Sequence, residues 1–136
     1  MKKNSIYAYP AIFVAEEKGM YSVSFPDIEG CFTCGENITD ALWMAGNALA
    51  LTLYTSYEDK GIDVPAPTPV EKIKVKKGSF VSYVLCDTKV YRRKFGTRAV
   101  KKTLTIPEWM NVAATEQNIN FSQVLQDALK QKLDVS

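Results

Sequence analysis

Between Val100 and Leu133 the chain writes a short strand and two amphipathic helices with too little apolar material for a core of their own. From Lys101 to Ile106 the residues alternate: Leu104 and Ile106 share one face, and Lys101, Thr103 and Thr105 share the other. Pro107 suits the first helical position, and Met110, Ala113 and Ala114 give the following helix its apolar spacing. Asn120 predicts an N-cap with Gln123 at the third helical position. Phe121, Val124, Leu125, Ala128, Leu129 and Leu133 then recur at helical spacing. Fewer than about 40 residues do not make an independent monomeric core, so dimerisation is expected. A lone strand also leaves its backbone edges unpaired. Pairing with the same strand of a second copy satisfies the edge and covers the apolar face together. Leu104, Ile106, Val124, Leu125 and Leu129 are the expected dimer core.

A two-stranded ribbon of this kind fits the B-DNA major groove, with its outward side chains at the base edges. Lys101, Thr103 and Thr105 are therefore the candidate base-reading residues, with Lys102 beside them. Free backbone N–H groups at Asn120, Phe121 and Ser122, where the last helix starts, can clamp a phosphate. The competing reading is an ordinary strand and helical hairpin that caps the preceding domain.

Net charge is only +2, but the total hides a split. Residues 1–64 carry four Lys/Arg against nine carboxylates, and residues 65–136 carry thirteen against six. From Lys72 to Lys102 there are eleven basic side chains and one acid, Asp87. This asymmetry suggests a basic end for a polyanion and an acidic end for something else; the bland reading is a solvated surface that happens to segregate. Hydrophobic content of 46% and charged content of 24% are globular values. No run of about 18 apolar residues exists to span a membrane. The basic start Met1-Lys2-Lys3 leads into a strand rather than a signal peptide, so the cytoplasm is the expected compartment.

The first half reads as a sheet followed by a helix. Tyr9, Ala11 and Phe13 alternate with Pro10, Ile12 and Val14; Glu16 to Gly19 is a turn; Tyr21, Val23 and Phe25 form a second strand. Phe25 to Gly30 is a loop, and Cys31 to Cys34 a short third strand. Asn37 is a helix N-cap with Asp40 in the style of a capping box. The helix is expected to run to about Lys60, with Gly61 just past its end. Its sheet-facing stripe is Ile38, Ala41, Leu42, Ala45, Ala48, Leu49 and Leu53. Trp43, Met44, Ala50, Leu51 and Tyr54 lie on other faces, for cover by later segments or for a partner. Pro65 to Pro69 is a stiff connector lying on the same domain. Lys72 to Lys76 alternates as a strand, Phe80 to Cys86 returns as another, and Asp87 caps a short basic helix from Thr88 to Phe95 that ends at Gly96. The expected division is residues 1–96 and 97–136.

Three cysteines and no histidine leave structural zinc without a ligand set, so no metal and no cofactor is assigned. Cys31-x-x-Cys34 falls in a strand-like segment, where reduced thiols are expected rather than a redox pair.

The run Tyr9-Pro10-Ala11-Ile12-Phe13, then Gly19-x-Tyr21-x-Val23-x-Phe25-Pro26-Asp27-Ile28-x-Gly30-Cys31-x-Thr33-x-Gly35, then Asp40-Ala41, resembles the HicB antitoxin family over about residues 7–60. Cys34 stands where that family often has glutamine. The C-terminal segment independently resembles ribbon-helix-helix repressors. The resemblance implies an α+β chain: a partial RNase H-like domain, with an antiparallel sheet and a long helix, followed by a ribbon-helix-helix module. It implies a HicA-type toxin as partner, a small ribonuclease with a catalytic histidine, and operator DNA bound by a homodimer that can associate further. A toxin that grips RNA should be basic, so acidic Glu16, Glu17, Asp27, Glu29 and Glu36, with Trp43, are the candidate toxin-binding residues.

An RNase H-like fold also invites a nuclease reading. Two-metal hydrolysis needs converging carboxylates, whereas the acids here fall in turns or cap a helix, and no histidine supplies a general base. No enzyme activity is expected. A ligand-sensing regulator, with Tyr7, Tyr9, Phe13, Tyr21 and Trp43 lining a pocket, is the other alternative.

Overall fold

The computed structural model describes residues 5–135; Met1–Asn4, which include the basic start, and Ser136 lie outside the described residues. The chain separates into two compact units, one ending at Arg98 and one beginning at Ala99.

The first unit is built on strand β1 (Ile6–Ala15), which has a ladder on each side. A tight turn at Glu17–Gly19, with Lys18 at φ 60° and Gly19 at φ 78°, returns the chain as β2 (Tyr21–Ser24). β3 (Phe32–Gly35) and β4 (Ser79–Asp87) complete an antiparallel sheet of order β3-β2-β1-β4. Phe13 pairs with both Val23 and Phe80, and Tyr9 with Val84. Period-two alternation therefore puts Tyr9, Ala11, Phe13, Val23, Val84 and Cys86 on one buried face. Helix α1 (Ile38–Leu53) packs over that face.

The capping reading of α1 holds with a shift. The Asn37 side chain accepts from the Asp40 N–H at 2.9 Å, and Asp40 reaches back past the cap to accept from the Glu36 N–H at 2.9 Å. The helix buries Ala41, Ala45, Leu49 and Leu53, but also Gly46 and Ala50, while Ile38 and Leu42 from the expected stripe stay exposed. The wider burial has a cause: α2 (Thr88–Phe95) packs beside α1 and covers a second flank. Tyr54 is buried with it, whereas Trp43 and Leu51 remain exposed. Regular helix stops at Leu53 and widens into a π-type turn over Tyr54–Glu58 before Gly61 turns the chain at φ 66°.

The connector is fastened to this unit. The Tyr9 hydroxyl donates to the Pro65 carbonyl, and Thr68 donates its N–H (2.9 Å) and hydroxyl (2.5 Å) to Asp27. The expected strand at Lys72–Lys76 is absent: a short turn occupies Val70–Lys72 and the rest joins no ladder. Alternation makes a strand only when an edge accepts it, and three lysines on every second position oppose close pairing. The third strand begins at Phe32 rather than Cys31.

The second unit contains α3 (Glu108–Glu116) and α4 (Phe121–Leu133). Pro107 is the cap of α3 rather than its first residue. The Asn120 side chain accepts from the Gln123 N–H at 3.0 Å and caps α4, which closes at Asp134 in the left-handed region. The expected strand over Lys101–Ile106 carries no ladder, since the unit holds no second strand for it to pair with.

Gly35 sets the close approach of β3 to α1, because a Cβ there would collide with the Ala41 backbone. Neither backbone can give way cheaply. Gly35→Ala is expected to destabilise the first unit by roughly 2 kcal/mol or more, read as a thermal unfolding midpoint lowered by about 10 °C.

Candidate functional site

Two sets of surfaces carry the chemistry of this chain. The first unit offers acids in its turns, a polar hub at the end of α1 and an open sheet face. The second offers apolar side chains that nothing within the unit buries.

The acids do not converge. Antiparallel connection places the Glu16–Gly19 turn and Glu36 at one end of the sheet, where Ala15 pairs with Tyr21 and Tyr21 with Gly35. The loop carrying Asp27 and Glu29 lies at the opposite end, beyond the Ser24–Phe32 pair. Glu16 accepts from the Ser22 hydroxyl at 2.7 Å and stays exposed. Asp27 is engaged by Thr68 and so serves the connector. Trp43 follows in the second turn of α1, on the Glu36 side, with Lys94 Nζ 4.5 Å from its ring centroid.

A polar hub escaped the sequence reading. Glu58, brought inward by the π-type turn, accepts from the Tyr7 hydroxyl (2.9 Å), the Thr88 hydroxyl (2.8 Å) and the Arg92 guanidinium (2.9 Å). Arg92 also donates to Asp59 at 2.7 Å and lies over the Tyr54 ring. The hub thus ties β1, the end of α1 and α2 together. The sequence signal was faint: one carboxylate two residues before Lys60, in a segment expected to be plain helix. Burial works to raise the Glu58 pKa, but hydrogen bonds from Thr88, Arg92 and Tyr7 outweigh it and hold it below the usual glutamate value. Burial, with Glu58 alongside, pushes the Tyr7 hydroxyl up to about 12.

The aromatic residues considered for a ligand pocket are used otherwise. Tyr9 and Phe13 are core, Tyr7 and Tyr21 pack against it, and Trp43 stands apart at 55% exposure. A shallow groove elsewhere is lined by Thr33, Met44, Asn47, Ala48, Leu51 and Phe95. The cysteine pair is split: Cys31 is buried beside Thr52, which with burial shapes a raised pKa, while Cys34 is exposed on the face away from α1. Among the described residues no three His, Cys, Asp or Glu side chains group to hold a metal ion. Among them also, no helix is long and apolar enough to cross a membrane.

In the second unit no described residue is buried. Leu104, Ile106, Trp109, Met110, Val124 and Leu129 are all exposed, and Leu125 is half-buried. Lys101, Lys102, Thr103 and Thr105 lie on the stretch before α3; Asn120, Phe121 and Ser122 form the start of α4. The charge split of the sequence does not follow the unit boundary. Residues 1–98 carry thirteen Lys/Arg against eleven carboxylates, and residues 99–136 carry four of each. The basic density sits in the connector and on α2 instead.

These features define a binding protein: surfaces for macromolecules, with no converging catalytic or metal-ligating set. Comparison with known proteins makes the class specific. Residues 9–129 match the family of HicB-like antitoxins of bacterial toxin-antitoxin systems. The chain belongs to that family, whose members are antitoxins and not enzymes. Antitoxin HicB 1 of Photorhabdus laumondii is 40% identical over 62 residues, covering 46% of this chain and 39% of the relative; the chain thus spans well under half of that relative's length. In a solved toxin-antitoxin complex from Streptococcus pneumoniae, one chain is 30% identical, with 93% of this chain and 99% of that chain covered at a TM-score of 0.60. The crystal structure of antitoxin HicB3 matches at 26% identity, 96% and 99% coverage and a TM-score of 0.50.

The hub gives stability a pH dependence of definite sign. A depressed Glu58 pKa means that the folded protein binds fewer protons than the unfolded chain. Its contribution is complete above the unfolded carboxyl value of about 4.3 and is lost as pH falls through the lower folded value. Thermal melts of wild type and Glu58→Gln are expected to differ most above that window and to converge below it.

Proposed function

We propose that this chain is an antitoxin that binds and neutralises a HicA-type ribonuclease toxin and, as a dimer, binds operator DNA to repress its own operon. The observation that carries the reading is the second unit, which folds two capped helices yet buries none of its described residues. Such a unit is stable only against a partner, and a second copy is the partner that pairs strand with strand. The reading of 97–136 as a ribbon-helix-helix module follows. Leu104, Ile106, Val124, Leu125 and Leu129 then supply the shared core, while Lys101, Thr103 and Thr105 face the major groove with Lys102 beside them. The α4 start at Asn120, Phe121 and Ser122 holds a phosphate through free N–H groups. Eleven basic residues between Lys72 and Lys102 add a salt-dependent, sequence-independent attraction.

The first unit, read as a partial RNase H-like domain, is the toxin-binding half. Glu16, Glu17 and Glu36 share one end of the sheet with exposed Trp43 close by on α1, which gives an acidic rim and an aromatic anchor. Glu29 lies at the far end and Asp27 is held by Thr68, so both contribute less to that surface. A basic RNA-gripping toxin meets complementary charge there and loses its RNA site.

Two measurements test the halves separately. Leu104→Lys is expected to convert the full chain to a monomer by light scattering and to abolish operator binding in a gel shift. A dimer that still binds the operator refutes the module reading. Glu16→Lys with Glu17→Lys is expected to slow toxin association by about tenfold at low salt, with operator binding unchanged. Unaltered association kinetics place the toxin elsewhere.

A further inference from the structure

The edge of β4 is open, long and unprotected. Two backbone hydrogen bonds fix the direction of every amide in the sheet. The Glu16 N–H reaches the Met20 carbonyl, so even-numbered residues of β1 direct their N–H and C=O groups toward β2. The Thr88 N–H reaches the Ser5 carbonyl, so odd-numbered residues direct theirs toward β4. Pro10, which has no N–H, falls on the even set, where β2 does not reach it. The register of β1 with β4 is unbroken from Ile6–Asp87 to Val14–Ser79. Ser82 and Val84 therefore spend their backbone groups on β1, and Val81, Tyr83 and Leu85 present theirs outward.

The side chains of the same three residues lie on the sheet face away from α1. Tyr83 is 51% and Leu85 69% exposed, and Val81 is half-buried. The Val70–Lys72 turn packs near β4, but among the described residues no backbone hydrogen bond joins it to this edge. From Ser79 to Cys86 the strand contains no charge and no proline, so none of the usual devices guards it. The opposite edge, β3, is only four residues long and ends in Gly35.

We propose that β4 pairs antiparallel with β4 of a second copy of this chain, about a two-fold axis through Tyr83. In that register Val81 opposes Leu85 of the second copy, Tyr83 opposes Tyr83, and Ser79 opposes Asp87. Apolar meets apolar throughout, no like charges face each other within the strands, and the two exposed sheet faces become one continuous surface. About six backbone hydrogen bonds form among Val81, Tyr83 and Leu85. The pattern reads the same in both directions about Tyr83, which is what an isologous contact requires. A charged partner strand finds nothing complementary along Ser79–Cys86. The inference stands on the first unit alone and does not need the operator reading.

Residue-resolved amide exchange on the full chain tests it. Val81, Tyr83 and Leu85 amides are expected to exchange at least about tenfold more slowly than free amides, and Leu85→Lys is expected to remove that protection. Ser82 and Val84, bonded to β1, stay protected in the variant and report an intact fold. In Leu104→Lys protein, which lacks the proposed second-unit dimer, protection of the three amides is expected to rise with protein concentration. Free exchange of all three in the wild type overturns the proposal. So does protection that survives Leu85→Lys, which means cover from within the chain, and protection that appears only when a toxin is added, which gives the edge to the toxin.

Discussion

The ten residues of β1 divide their backbone groups between two neighbouring strands and their side chains between two faces, and both divisions follow one parity. Odd residues bond toward β4 and point into the core; even residues bond toward β2 and point out. Every later element is placed by that choice. α1 covers the odd face because Ala41, Ala45 and Leu49 let it approach Tyr9, Ala11 and Phe13 closely. β4 inherits the opposite assignment, so its outward amides and outward side chains belong to the same residues. A slip of one residue would turn Phe13 and Tyr9 to solvent and bring Val14 and Ile12 inside, which is why a register with a covered face is strongly specified.

The second unit obeys the opposite economy. Its helices are capped at Asn120 and closed at Asp134, so local signals are complete, but tertiary burial is missing. Helix propensity alone does not hold short helices in water, and most helical stability in proteins comes from packing of an apolar face. Exposed Phe121, Val124 and Leu129 along α4 are therefore a demand for a partner rather than incidental surface.

Much of this was legible in the sequence, and the failures have physical reasons. The alternation of β1, the Asn37, Asp87 and Asn120 caps and the Gly61 turn depend on neighbours within a few residues, and sequence carries such signals directly. Lys72–Lys76 had the right period for a strand, but period does not say whether an edge is available. The α1 stripe was drawn for one neighbour, whereas α2 supplies a second and so buries Gly46 and Ala50. The Glu58 hub depends on four segments meeting through a π-type turn, and no local pattern encodes that meeting. Charge misled for a similar reason. The split near residue 64 is real in sequence, but the basic run belongs largely to the connector and α2, inside the first unit.

That last point bears on how the proposed device would hold DNA. With four basic and four acidic residues, the second unit alone has little net attraction for a polyanion. Base-edge contacts from Thr103 and Thr105 discriminate between sequences, but the long-range field that gathers protein onto DNA scales with cationic side chains near phosphate. Most of those side chains, including Lys89, Arg93 and Lys94 on α2, sit on the unit assigned to the toxin. α2 is in turn anchored to the sheet through Arg92 and Glu58. A toxin bound to the first unit and an operator bound to the second would then share one electrostatic field. A cationic toxin neutralises the acids beside that field and leaves its basic part uncompensated. On this argument toxin binding strengthens non-specific attraction to DNA without touching a base-reading residue, so the two functions are coupled by charge.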